Sequence, residues 1–265
     1  MPNRNNDEIR QAVRENYAKV ASSSGCCCDP ACCGKPSDAQ TAAAASVSLG
    51  YSEHDVASVP DGSNMGLGCG NPQAIAALRP GETVLDLGCG GGFDSFLAAQ
   101  KVGENGRVIG VDMTPEMVAK ARRNVSASGR KNIDIRLGEI ENLPVANASV
   151  DVIISNCVIN LSPDKQRVFN EAFRVLKTGG RLAVSDIVAL RPMPDALKQD
   201  KQALCGCISG AAPAEEVSRM LAVAGFQDVR VDLKPESREF IKDWAPGSGA
   251  ESYVCSAIIT AGKKA

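Results

Sequence analysis

The 265-residue sequence holds one histidine, His54, and balances 29 Lys+Arg against 31 Asp+Glu for a formal net charge of −2. A single imidazole leaves almost nothing from which to build a His-ligated zinc centre or Ser-His-Asp catalysis. The near-balanced charge gives no general attraction to nucleic acid or anionic lipid, so neither is an expected partner. No uninterrupted apolar stretch approaches the roughly 20 residues that a membrane span needs. The polar start MPNRNNDEIRQAV carries no secretory h-region, and the expected location is cytoplasmic.

Cysteine, by contrast, is abundant. The chain has eleven, and five of them, Cys26, Cys27, Cys28, Cys32 and Cys33, fall in CCCDPACC at residues 26–33. In a reducing compartment such a count points to ligands or redox chemistry rather than a static disulfide framework. Hydrophobic residues make up 44 % and charged residues 23 % of the chain. That composition and length support one large α/β domain, or a core domain with a modest appendage.

Residues 7–20 place Ile9, Val13, Tyr17 and Val20 at helical spacing and read as an amphipathic helix. The Ser-, Gly- and Pro-rich stretch that follows reads as loop. A short helix is expected within 41–60, and another from Pro72, ending before Gly81. A regular alternation then begins. TVLDLG (83–88), RVIGVD (107–112), IDIRLGEI (133–140), SVDVIISN and RLAVSDIV read as five strands. Between them lie helices at 93–102, at 114–129 with Thr114 as N-cap, and over SPDKQRVFNEAFRVLKTGG, closed by Gly179. Such alternation means a parallel, doubly wound sheet. After residue 190 the rhythm changes to helices, followed by two late strands, DVRVDL and YVCSAIITAG. The simplest topology inserts a helical cap between the fifth strand and a closing pair.

LDLGCGGGFD ends the first strand in Asp86 and sets Gly88, Gly90 and Gly92 ahead of a helix. Glycines permit a tight turn and close backbone approach to a ligand, at the edge where open α/β sheets bind nucleotides. A tight strand–helix turn would need the same glycines, so further features must decide. Asp112 closes the second strand, placed to accept from a ribose diol, and Glu139 and Ile140 follow the third, at the adenine position.

Three isolated cysteines stand near the same edge: Cys69 in GLGCGNP, Cys157 in SNCVINL and Cys207 in CGCISGA. Each taken alone can be a small buried hydrophobe, which is the expectation for Cys255; Cys89 reads as a spacer between cofactor-loop glycines. Three thiolates converging from three segments would instead make a soft, three-coordinate site for a thiophilic ion. Trivalent arsenic binds three sulfurs as a pyramid and keeps a lone pair that can itself act as a nucleophile, so no protein base is needed. The protein then supplies proximity, with the reacting atoms about 3–3.5 Å apart. Zinc suits such a site less, since it prefers four ligands.

The D-x-G-x-G-x-G run, the acid after the second strand and GEIENLP resemble the class I S-adenosylmethionine methyltransferases. The G-x-G-x-x-G dinucleotide fingerprint would need glycine at Phe93 or Ser95. NMGLGCGNP, VIGVDMTPEM, ISNCVINLSPDK, GRLAVSDIV, GCISGA and DWAPGSGAESYV narrow the resemblance, along most of the chain, to the arsenite methyltransferases. That resemblance implies an α/β, doubly wound, Rossmann-like class I sheet with a helical substrate cap before the last strands. It implies S-adenosylmethionine as methyl donor. Asp86, Gly88 and Gly90 would surround its methionine part, with Cys89 between the two glycines of that cofactor-binding loop, Asp112 and Met113 its ribose and adenine, Glu139 and Ile140 the adenine edge, and Asn156 its amino-acid end. Cys69, Cys157 and Cys207 would bind trivalent arsenic; Cys205, two residues from Cys207, falls outside the motif.

The expected division is 1–65 as N-terminal helix and Cys-rich extension, 66–190 as cofactor domain, and 191–265 as arsenic-binding cap with closing strands. Expected partners are arsenite or arsenic–thiol conjugates, and a thiol reductant such as thioredoxin or a small thiol. Within 26–33, Cys32 or Cys33 is the expected accessory thiol, handing arsenic to Cys69 or pairing with it in turnover; a zinc knuckle or a plain Cys-rich tail are the other readings. Two other functions fit the same scaffold: methylation of a quinone or other small molecule, and non-catalytic binding of arsenic or metal.

Overall fold

The computed structural model describes residues 6–22, 39–244 and 246–264. The cluster at 26–33, with Cys32 and Cys33, lies outside the described residues. The strands are β1 (Thr83–Leu87), β2 (Arg107–Asp112), β3 (Ile133–Leu137), β4 (Val150–Asn156), β5 (Leu176–Ala189), β6 (Gln227–Lys234) and β7 (Val254–Gly262). They form one seven-stranded sheet in the order β3-β2-β1-β4-β5-β7-β6. β1 to β5 run parallel, and β7 lies antiparallel between β5 and β6. The expected doubly wound sheet is therefore present, and the two late strands complete the same sheet.

Alternation along the strands builds a layer on each face. Leu85, Leu87, Ile109, Val111 and Ile153 point into a core shared with α7 (Lys165–Val175) and α10 (Ala214–Ala224). Val84, Val108, Val152 and Ile154 face α5 (Phe93–Val102) and α6 (Pro115–Ser128). Strands buried on both faces read as near-continuous apolar runs, and each fully buried Leu, Ile or Val contributes about 1.5–3 kcal/mol. The remaining helices are α1 (Asn6–Ser22), α2 (Ala39–Ser48), α3 (Glu53–Ala57), α4 (Gln73–Ala76), α8 (Asp195–Gln199), α9 (Lys201–Cys205) and α11 (Arg238–Trp244).

Several boundaries differ from the sequence reading. α4 stops at Ala76, because Ala77 turns left-handed (φ 46°) and the Arg181 guanidinium takes the Ala76 and Ala77 carbonyls at 2.6 Å each. α7 ends at Val175 rather than near Gly179, since Leu176 already pairs with Val150 and starts a fourteen-residue β5. β3 ends at Leu137, where Gly138 donates back to the Asp112 carbonyl. The helical cap is smaller than expected. α10 covers the sheet, which leaves α8, α9 and the turn after them, joined by α11, around the cysteines. Among the described residues no helix is long and apolar enough to cross a membrane.

Candidate active site

β1 and β4 are neighbours with their onward connections diverging, and a crevice opens at their carboxyl ends, as expected at a switch point. A cavity of about 300 Å³ occupies it. Gly88 takes φ +66°, and a Cβ there would sit 2.4 Å from Val158. The Gly88 and Cys89 amides donate to the Val111 carbonyl (2.7 and 3.0 Å) and fold the loop back over β2. Asp112 ties the same loop down: Oδ2 accepts from the Gly90 amide (3.0 Å) and Oδ1 from the Thr114 amide (2.8 Å). Burial pushes the Asp112 carboxyl above the usual range. Asp86 is buried against the Ser95 hydroxyl (2.6 Å), and it is held well above the usual range by burial and then by the Asp94 charge.

Eight of the nine expected cofactor residues line the cavity: Asp86, Gly88, Cys89, Gly90, Asp112, Met113, Ile140 and Asn156. Glu139 is not in the lining. It is half-exposed and faces α1, paired with Arg14 (3.2 Å) and Arg10 (3.6 Å). Its place in the wall is taken by Glu141, which is buried and accepts from Ser162 (2.8 Å) and Arg10 (3.2 Å). Because α1 is anchored this way, Arg10, Val13, Asn16 and Tyr17 close one side of the cavity. The amphipathic pattern announced the helix, but no local signal in 6–22 announced what it covers.

The three isolated cysteines meet beside the cavity, where Cys157 and Cys207 are part of its wall. Cys157 follows β4 in a left-handed conformation (φ 60°), its amide bonded to the Ser185 carbonyl (2.8 Å). Cys207 is left-handed too (φ 61°), in the turn after α9. For residues with a Cβ this geometry costs on the order of 1 kcal/mol or more and persists where the surroundings impose it. The Cys69 carbonyl accepts from the Ser256 hydroxyl (2.7 Å).

The Cys207 thiol donates to the Cys157 carbonyl at 2.7 Å. Hydrogen bonding with the Cys207 and Cys69 thiols, and then burial, hold Cys157 well above the ordinary thiol value. Burial raises Cys69 as well. Leu161, Ile187, Met193, Leu197 and Ile208 pack around the three thiols, with Trp244 of α11 partly buried against them.

Sequence reasoning missed one member of this group. Asp186 of β5 is buried, and one of its oxygens and the sulfurs of Cys69 and Cys157 all lie within 4.8 Å of one another. The Ile159 and Ile187 amides (2.9 and 2.8 Å) and the Asn160 side chain (2.9 Å) hold the carboxylate, and burial still pushes it up to about 6. The available signal was an acid inside the apolar run VSDIV. Cys255 is buried in β7, and Cys89 packs against Gly110, as expected of core and spacer cysteines. Cys205 ends α9 half-buried in the cavity wall, and its carbonyl accepts from the Tyr17 hydroxyl (3.0 Å).

A nucleotide-type crevice adjoins three thiols, and comparison with known proteins accounts for the pairing. Residues 78–225 match the family model for a methyltransferase domain. The arsenite methyltransferase of Halobacterium salinarum is 52 % identical, over 99 % of this chain and 68 % of that protein. The chain belongs to the arsenite methyltransferase family.

The arsenite methyltransferase of Aquipseudomonas alcaligenes is 39 % identical over 84 % of this chain. Among solved structures, the arsenic(III) S-adenosylmethionine methyltransferase of Chlamydomonas reinhardtii is 34 % identical with a TM-score of 0.63, covering 83 % of this chain and 74 % of that one. The chain spans 63 % of the Aquipseudomonas protein's length. In this family member the crevice fits S-adenosylmethionine: glycines leave room at the strand end, and the buried carboxyls of Asp86 and Asp112 stand in its wall.

Asp94 adds a measurable property. It is buried in the cavity wall, and burial pushes it up to about 6 from its ordinary 3.8 despite donors from Tyr51, Asn156 and Gln73. Between those values the folded protein binds more protons at this site than the unfolded chain, so stability falls as pH rises through the interval. Relative to Asp94→Asn, the wild type loses up to about 3 kcal/mol between about pH 4 and pH 7. Urea unfolding of both proteins across that range measures it, and a pH-independent difference contradicts the assignment.

Proposed function

We propose that this protein transfers methyl groups from S-adenosylmethionine to trivalent arsenic held by Cys69, Cys157 and Cys207. The observation that carries the reading is the meeting of three thiols from three chain segments beside the cofactor crevice. With arsenite as substrate, each thiol proton leaves with an arsenic-bound hydroxide as water, and three As–S bonds form. Cys207 exchanges its bond to the Cys157 carbonyl for one to arsenic. The surrounding apolar side chains keep bulk water from competing with sulfur.

S-adenosylmethionine supplies an electrophilic methyl on a sulfonium centre. The chain's task is to aim the arsenic lone pair at that carbon, Asp86 and Asp112 binding the two ends of the cofactor from β1 and β2. Proximity and alignment of this kind are worth several kcal/mol. As the As–C bond forms, the methyl–sulfur bond breaks, its electron pair leaves with S-adenosylhomocysteine, and arsenic is formally oxidised by two electrons. Two thiols returning it to the trivalent state become a disulfide, which thioredoxin or a small thiol reopens by exchange. This chemistry needs a reducing compartment, in keeping with a cytoplasmic location. Methylation of a quinone or other carbon acid would leave the three thiols without a task, and a simple arsenic carrier would have no use for the glycine loop with Asp86 and Asp112.

The test supplies methyl-labelled cofactor, arsenite and a thiol, and follows arsenic species over time. Labelled monomethyl and then dimethyl arsenicals are expected. Label on another acceptor with none on arsenic overturns the reading.

A further inference from the structure

Behind the Cys69 loop lies a largely buried polar cluster that ties the cavity wall to the Cys69 backbone. Its hub is Asn156, the last residue of β4. Asn156 Oδ1 accepts from the Cys69 amide (3.0 Å), while Nδ2 donates to the Gly70 carbonyl (2.8 Å) and the Tyr51 hydroxyl (3.0 Å), with Asp94 Oδ2 at 3.4 Å. Tyr51 in turn donates to Asp94 Oδ1 at 2.8 Å, and Gln73 donates to the Asp94 carbonyl at 2.9 Å.

The chemistry fixes which way the amide faces. A peptide N–H can only donate and a carbonyl only accept, so one side chain meeting both must carry an acceptor and a donor. A carboxylate at 156 would lose the bond to Gly70 and stand against Asp94. Gly68 shows how closely the loop is pressed onto this amide: it takes φ +133°, and a Cβ there would lie 2.7 Å from Asn156 Nδ2. Ser256 holds the Cys69 carbonyl. The Cys69 backbone is thus gripped at both its amide and its carbonyl, while its sulfur lies within 4.8 Å of Cys157 and Asp186.

We propose that Tyr51 and Asp94 act, through Asn156, as positioning residues for the Cys69 thiol. The inference rests on Cys69 being an arsenic-binding thiol. Tyr51 and Asp94 fix the Asn156 amide, the amide fixes the Cys69 peptide, and the peptide fixes where the sulfur stands relative to Cys157. Asn156 and Asp94 also form part of the cofactor cavity wall. One ordered network therefore sets the spacing between the thiol site and the methyl-donor crevice, where an error of an ångström is costly.

The test is timed alkylation of the folded protein with iodoacetamide, read peptide by peptide, in the wild type, Tyr51→Phe and Asn156→Asp. Cys255, buried in β7, reports global unfolding in the same samples. Tyr51→Phe removes two hydrogen bonds, one to Asp94 and one from Asn156, neither of them made by Cys69 itself. Weakening the hold on the Cys69 peptide by about the worth of one hydrogen bond is about a five- to tenfold change in its opening equilibrium. In Tyr51→Phe, Cys69 labelling is expected to accelerate by about that factor with Cys255 unchanged, and more in Asn156→Asp, which disturbs several contacts. In steady state Tyr51→Phe raises KM for arsenite several-fold, and by a larger factor than it raises KM for the cofactor. An unchanged Cys69 rate, or equal acceleration of Cys69 and Cys255, overturns the proposal. If the wild type methylates no arsenite, the proposed function falls instead, and the labelling ratios still decide the positioning role.

Discussion

Replacing Cys157 by serine lowers kcat/KM for arsenite by about 100-fold or more, while cofactor affinity stays within about twofold of wild type. A hydroxyl of nearly the same size keeps the left-handed turn at 157 and the amide bond to Ser185, so the fold is left intact. What is lost is a soft donor: arsenic–sulfur bonds resist exchange with water where arsenic–oxygen bonds do not. Cys157 is also the thiol that hydrogen-bonds with both of the others, so its loss separates Cys69 from Cys207. Two factors of ten in rate correspond to about 2.7 kcal/mol of lost transition-state stabilisation. Steady-state kinetics with arsenite, beside calorimetric titration with S-adenosylhomocysteine, measure both halves. Full activity in this variant removes Cys157 from the thiol site.

Replacing Asp112 by alanine acts on the other half of the crevice. Cofactor affinity is expected to fall about 100-fold, because two hydrogen bonds from a ribose diol to a charged acceptor are worth about 3 kcal/mol together. The same carboxylate anchors the Gly90 and Thr114 amides, so the glycine loop loses its tie to β2, and the protein loses about 1–3 kcal/mol of stability for each amide left unpaired. Asp112→Asn separates the two effects. It retains one oxygen acceptor and restores part of the stability but little of the affinity. Calorimetry with the cofactor and urea unfolding report them independently. Wild-type affinity in Asp112→Ala would exclude this residue from the ribose site.

Much of this molecule was legible in one dimension. The strands of the parallel sheet are apolar because both faces are covered, and glycines at 88, 90 and 92 mark a turn that takes positive φ at all three. Asp86 and Asp112 sit where those strands end. Such features depend on neighbours a few residues away, so spacing reveals them. The boundaries that moved were decided by distant groups. Arg181 stops α4 from more than a hundred residues away, and Val150 draws Leu176 out of α7 into β5.

The site divides the same way. Cys69, Cys157 and Cys207 could be chosen from the sequence as three thiols in Gly- and Asn-bearing loops, and their motifs resembled one family along most of the chain. Glu139 and Glu141 are two residues apart with the same charge, so only the seat of α1 decides which lines the crevice; Arg10 and Arg14 draw Glu139 outward. Asp186 joins the thiols because β5 lies beside β4, and Tyr51 reaches Asp94 across 43 residues. The sequence by itself determined the chemistry on offer, thiols and a nucleotide loop, since that is a property of residue types and local spacing. Only the tertiary structure decided which acid, which aromatic and which helix complete the site, because burial and pairing over long separations are set by how the chain packs.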